Sequence, residues 1–253
     1  MKIIDFYNKL SELYPTSLSS EWDNDGLMCC RDGEAEIKRV LVALDATDAS
    51  VEYAKKGGFD LLLTHHPMIF KGLRSLTPYD VVGRRVLKAL EAGISVISLH
   101  TRLDAGEDGV NDTLAAALGL SDVLPFGDES DPTLGRIGTT DVSDPSDFAK
   151  AIKKAVGVPF VTAYVSRPVS RVAVVGGGGG DFVSAAKKAG ADTLVTGECG
   201  YNKALDSAEA GINVFVCGHY FTEAPVLSRL ADLAVEITGA ECEIFTEKPE
   251  TVF

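Results

Sequence analysis

The 253 residues are 45% hydrophobic and 24% charged, enough to bury a sizeable core and too apolar for a disordered chain. A formal net charge of −13 repels a phosphate backbone and argues against a dedicated nucleic-acid binder. No window supplies the ~18 consecutive apolar residues of a membrane span, and five cysteines without a C-x-x-C pair exclude a disulfide scaffold or zinc ribbon and suit a reducing cytoplasm.

The opening stretch MKIIDFYNKLSELYP reads as an amphipathic helix rather than a signal peptide, because Asp5 and Glu12 interrupt any apolar run. The expectation is therefore a soluble, cytoplasmic protein. The segment Glu21–Leu27 (EWDNDGL) is polar enough for a loop, with Trp22 as a packing anchor. Arg39–Thr64 then reads as an apolar strand, a turn, a helix, a glycine-containing stop and a second apolar strand, which is a βαβ unit.

That unit recurs. Laid without a gap over Arg171–Thr196, it agrees at 11 of 26 positions, where composition alone gives roughly 7% identity. Each copy leads into another helix and a third strand, since Glu91–His100 (EAGISVISLH) resembles Glu209–His219 (EAGINVFVCGH) after a one-residue gap. The six strands are near-continuous apolar runs, as expected of parallel strands covered by helices on both faces. The reading is an α/β chain of two related lobes with mostly parallel central strands. The polar stretch Gly127–Thr133 places the boundary between lobes 1–127 and 128–253, and Asp144–Val165 adds a helix and a strand to the second.

All four histidines fall at the C-terminal end of a predicted strand: His65 and His66 after DLLLT, His100 after ISVISL, and His219 after NVFVCG. Ligands of open α/β sheets gather outside those ends. A lone histidine is most often a hydrogen-bonded structural residue, and a carboxylate on a first helical turn is most often an exposed charge. Clustering points the other way. His65 and His66 can diverge at a strand-to-loop junction and serve different ions, while His100/Asp104 and His219/Glu223 share a four-residue interval that puts both side chains on one helical face. Imidazole and carboxylate suit zinc, iron or manganese, and a carboxylate can bridge two ions. Facing repeats would place such a site in the cleft between the lobes. Thr101, Glu198 and Tyr201 sit beside strand ends as supporting residues. The run Gly176–Gly180 lacks both G-x-G-x-x-G and a Walker lysine, so a tight turn or a backbone lining fits it better than a phosphate cradle.

EWDNDGL, LLLTHHPMIF, SLHTRLDAGEDGVND, the glycine run with GDF, and VCGHYFTE occur in that order and together resemble the GTP cyclohydrolase 1 type 2 homologue family, the NIF-three-like proteins. The resemblance implies a compact two-lobed α/β fold without the domain that several members insert between the halves. It implies two divalent metal ions per chain on His65, His66, Asp104, His219 and Glu223, with His100 supporting the ligands, and a hexamer built as a trimer of dimers. Arg102 stands where asparagine is common and Asn202 where many relatives have histidine, two departures that leave the ligand set intact. The implied activity is metal-dependent hydrolysis of a nucleotide or phosphoester, with Glu198 or His100 shuttling protons. The competing expectation is a non-enzymatic metal storage or delivery protein, or an oligomeric interaction scaffold.

Overall fold

A computed structural model describes residues 1–247. In chain order it runs α1 (Ile3–Leu13), β1 (Gly26–Cys29), β2 (Arg39–Ala43), α2 (Asp48–Gly57), β3 (Leu61–Thr64), α3 (Val81–Glu91), β4 (Ser95–Ser98), α4 (Thr101–Ala105) and α5 (Val110–Ala117). There follow β5 (Ser121–Phe126), β6 (Gly135–Thr139), α6 (Pro145–Val156), β7 (Thr162–Tyr164), β8 (Arg171–Val175), α7 (Val183–Lys188), β9 (Thr193–Thr196) and α8 (Tyr201–Glu209). Last come β10 (Asn213–Val216), α9 (His219–Glu223), α10 (Val226–Thr238) and β11 (Glu241–Phe245). Two compact units result: Met1–Leu103 with Leu227–Glu247, and Asp104–Val226.

The first unit holds a five-stranded sheet in the order β1-β4-β3-β2-β11, parallel except where β1 meets β4. The second holds six strands in the order β5-β6-β8-β9-β10-β7, of which β8, β9 and β10 are parallel and the rest antiparallel. The duplication read from the sequence is reproduced down to strand register. Val40 faces Leu61 and Leu41 faces Leu62 in one sheet; in the other the matching Val172 faces Thr193 and Ala173 faces Leu194.

Matching side chains fill the two cores. Leu41, Val51, Ala54, Leu62, Ile94 and Val96 are buried together in the first unit, and Ala173, Val183, Ala186, Leu194, Ile212 and Val214 in the second. Such strands, buried on both faces, are held mainly by apolar area removed from water. Local chemistry sets the ends of the first crossover: Thr47 caps α2 in a reciprocal capping box with Ser50, and Gly58, at φ 66°, stops it in the left-handed region. An aspartate clamp is duplicated as well. Asp60 accepts from the main-chain N–H groups of Lys38 (2.8 Å) and Arg39 (2.9 Å), and Asp192 from those of Ser170 (3.1 Å) and Arg171 (2.9 Å).

The division differs from the expected boundary at 127/128. Ser121–Phe126 pairs antiparallel with Gly135–Thr139, so the polar segment between them is a hairpin connection within the second sheet. The chain leaves the first unit between Leu103 and Asp104, and β11 returns to pair with β2. Asp144–Val165 forms α6 and β7, a helix and a strand as expected.

Candidate functional site

In the first unit the ends of β3 and β4 bring three imidazoles together. The His65–His66, His65–His100 and His66–His100 ring centroids are 4.8, 5.3 and 5.6 Å apart. One ring nitrogen of each lies within 4.8 Å of the others, a spacing suited to a shared cation. The junction is fixed by its main chain: the Thr64 hydroxyl donates to His66 O (2.8 Å), and His66 N–H donates to Leu44 O (2.9 Å).

Each ring is held at Nδ1. His65 Nδ1–H donates to Leu99 O (2.9 Å), His66 Nδ1–H to Asp45 Oδ1 (2.9 Å), and His100 Nδ1–H to Asp23 Oδ1 (2.8 Å). A carbonyl or carboxylate at Nδ1 fixes the tautomer and leaves Nε2 as the basic nitrogen, the usual dressing of a metal-binding histidine.

The segment EWDNDGL does more than connect. The Asp23 side chain is fully buried and also accepts from Thr101 N–H (3.0 Å) and the Thr101 hydroxyl (2.6 Å). Burial alone would raise its pKa, but the hydrogen bonds from His100 and Thr101 outweigh it and hold the carboxyl down at about 2. Asp25 accepts from His100 N–H (3.0 Å) and takes both Nε (2.8 Å) and an Nη (2.5 Å) of Arg102, which is 1% exposed. Burial pulls the Arg102 pKa down while the Asp25 hydrogen bond and charge raise it, with a net rise. Arg102 is thus a buried brace under His100. Trp22 departs from the expected packing anchor: it is 60% exposed, because its ring sits edge-on to His100 and beside Phe70 rather than in the core.

In the second unit α9 opens with His219, and its one helical turn carries Glu223 back over it. His219 Nε2 lies 3.2 Å from Glu223 Oε1, and His219 Nδ1–H donates to Glu198 Oε1 (3.0 Å). The four-residue interval does place both side chains on one face. Gly177 lies in the left-handed region (φ 57°), and a Cβ there would stand 2.1 Å from Glu223 Oε1 and 2.9 Å from His219 Nε2. The glycine run is therefore a backbone lining against this pair, the role the sequence favoured over a phosphate cradle.

Asp104 lies on α4, 9% exposed, and its main-chain oxygen accepts from Asn111 Nδ2 (3.3 Å). Asn111 Oδ1 in turn accepts from Gly176 N–H (2.8 Å), tying α4 to the glycine run. Of the supporting residues, Thr101 orients Asp23 and Glu198 orients His219. Tyr201 does neither: it is 66% exposed, its ring 6.1 Å from Tyr164. Asn202 is exposed on the first turn of α8. Cys217 is buried, which pushes its thiol up to about 12 and fits packing rather than nucleophilic chemistry. Asp23, Asp25 and Asp45 are the residues sequence reasoning missed.

Two related α/β sheets whose strand ends carry clustered histidines and carboxylates define a protein class with the donors for a metal ion. The Duf34/NIF3 (NGG1p interacting factor 3) family profile matches residues 1–250, and the chain belongs to that family. It is 32% identical to a GTP cyclohydrolase 1 type 2 homolog of Clostridium perfringens, over 98% of this chain and 97% of the relative, and 27% identical to NIF3-like protein 1 of Drosophila melanogaster, over 98% and 86%. Among solved structures, it is similar to a hypothetical protein of Staphylococcus aureus (TM-score 0.90, 27% identity, 100% of this chain and 99% of the other). It is also similar to reduced HcgD of Methanocaldococcus jannaschii (TM-score 0.84, 27% identity, 96% and 97%). No helix among the described residues is long and apolar enough to cross a membrane.

Proposed function

We propose that His65, His66, Asp104, His219 and Glu223 hold two divalent metal ions, and that the protein is a metal-dependent hydrolase acting on a nucleotide or related phosphoester. One observation carries the reading: all four histidines are gripped at Nδ1 by a carbonyl or carboxylate oxygen, so each turns Nε2 into its basic nitrogen. Structural histidines have no reason to share that arrangement four times. The mixed nitrogen and oxygen donors suit zinc, iron or manganese.

Divalent ions held there would supply Lewis acidity and lower the pKa of water. The chain's own residues would do the rest. His100, with Nδ1–H fixed on an ionised Asp23, can accept a proton at Nε2 while Asp23 stabilises the charged ring. Glu198 holds His219 and keeps a largely exposed carboxylate at the site's edge, where it can pass protons to solvent. The clostridial relative's name makes GTP the first substrate to assay: released formate marks a cyclohydrolase, released inorganic phosphate a phosphoesterase. A hexamer built as a trimer of dimers belongs to the same proposal and is read by light scattering.

The deciding experiment is elemental analysis of wild type, His65→Ala and Glu223→Ala purified identically. About two ions per chain in wild type, lost in both variants, is the expected result. Full metal retention in both variants, or metal-free wild type after incubation with zinc, iron or manganese, removes the site. Metal loading with turnover of no nucleotide or phosphoester, and rapid loss of the ions to a chelator with the fold intact, would move the reading to a metal carrier.

A further inference from the structure

Two large aromatic side chains stand in the open beside His100. Trp22 is 60% and Phe70 47% exposed, whereas Phe6, Phe148 and Phe215 are fully buried. Trp22, Phe70 and His100 form a triangle of rings, with centroids 5.8 Å apart for Trp22–Phe70, 5.8 Å for Trp22–His100 and 6.0 Å for Phe70–His100. Both aromatic rings meet the imidazole edge-on, at 78° and 70°, and lie at 45° to one another, so the pair opens as a wedge with His100 at its base.

The wedge is built rather than incidental. Trp22 precedes Asp23, whose carboxylate is locked by His100 and Thr101, and Asn24 Nδ2 donates to Ile69 O, tying the Trp22 loop to the residue before Phe70. Two loops far apart in sequence are thus cross-linked at the point where they display rings. Exposed apolar area costs solvation free energy, and fixing it in place removes the option of burying it against the body of the protein. A flat ring laid on the wedge would recover that area and gain stacking contacts.

We propose that Trp22 and Phe70 receive the flat heteroaromatic ring of the substrate, such as a purine base, beside His100. The inference rests on the hydrolase reading and narrows its substrate class to ring-bearing nucleotides over ringless phosphoesters.

Trp22 is the only tryptophan, so its emission reports on the wedge directly. The protein, as purified and after zinc loading, is titrated with guanosine monophosphate and, separately, with ribose 5-phosphate, the purine's absorbance being corrected for. Guanosine monophosphate should quench Trp22 saturably and ribose 5-phosphate should not. By calorimetry, Trp22→Ala and Phe70→Ala should each weaken nucleotide binding roughly ten- to hundredfold, with zinc content unchanged and Trp22→Phe restoring most of the affinity. Nucleotide binding that leaves Trp22 emission unaltered, binding unaffected by either alanine variant, or no purine binding at all overturns the proposal. So does emission that follows protein concentration instead of nucleotide, which would make the wedge a contact between copies. Failure of the metal reading shows separately, as absent zinc.

Discussion

The two halves share their frame and differ at its edge. Strand registers, core positions and the aspartate clamps at Asp60 and Asp192 recur, yet equivalent strand ends carry different chemistry. In the gapless alignment Asp45 and His66 fall opposite Gly177 and Glu198. The first half sets a carboxylate after β2 to hold an imidazole after β3; the second sets a glycine after β8 and a carboxylate after β9, and takes its histidine from the end of β10. Buried positions are constrained by packing on every side, while residues just past a strand answer only to what they bind. A duplicated scaffold can therefore carry different donors at its two sets of strand ends without disturbing either core.

The largest contrast lies two residues past the histidines His100 and His219, where one half has buried Arg102 paired with Asp25 and the other has Phe221, 5% exposed. Removing one partner of a buried pair strands the other's charge. Arg102→Leu should cost about 3–5 kcal/mol in urea unfolding, whereas Phe221→Leu, a smaller apolar change, should cost under about 1.5 kcal/mol. Equal losses would show that the ion pair is no more demanding than an apolar contact.

Acid should single out the first half. Asp23 is held at about 2 against an ordinary 3.8, so its contribution is fully present above pH 3.8 and is lost as pH falls through about 2. At about 1.4 kcal/mol per pH unit, that is about 2–3 kcal/mol. Asp23→Asn should flatten the stability profile between pH 4 and 2, and an unchanged slope would remove the linkage.

A change in the second half tests its glycine lining. Gly177→Ala forces a left-handed residue to carry a Cβ, costing at least about 1–2 kcal/mol, and presses on Glu223 and His219. On the proposed metal reading, the metal content should fall while the first half's fold persists. Metal retention equal to wild type would mean that the glycine lining has room to yield.

What the sequence made legible follows from burial. β2, β3, β4, β8, β9 and β10 are covered on both faces and read as apolar runs, so the duplicated βαβ units were visible at once. β5 (SDVLPF) is mostly exposed and contains Pro125, and β6 (GRIGT) carries two glycines and Arg136, whose guanidinium is buried against Asp112; neither looks like a strand. Missing that hairpin put the boundary at 127/128. The histidines were found because their position past a strand end is a sequence property. Asp23 and Asp25 were not, because they reach His100 only through the long-range antiparallel pairing of β1 with β4, in which Gly26 lies opposite Ser98 and Leu27 opposite Ile97. Asp45 was within reach: it follows β2 as His66 follows β3, but a lone acidic residue in a turn carries no signal of its own.

The parallel pairing of β11 with β2, in which Glu241 lies opposite Arg39, has a consequence for how the chain is made. Asp104–Val226 is continuous and can close on itself as it leaves the ribosome, whereas β2 keeps a bare edge until a strand about two hundred residues later emerges. The half synthesised first is thus completed last. During translation its open edge is the place where pairing with a neighbouring nascent chain, or protection by a chaperone, would act.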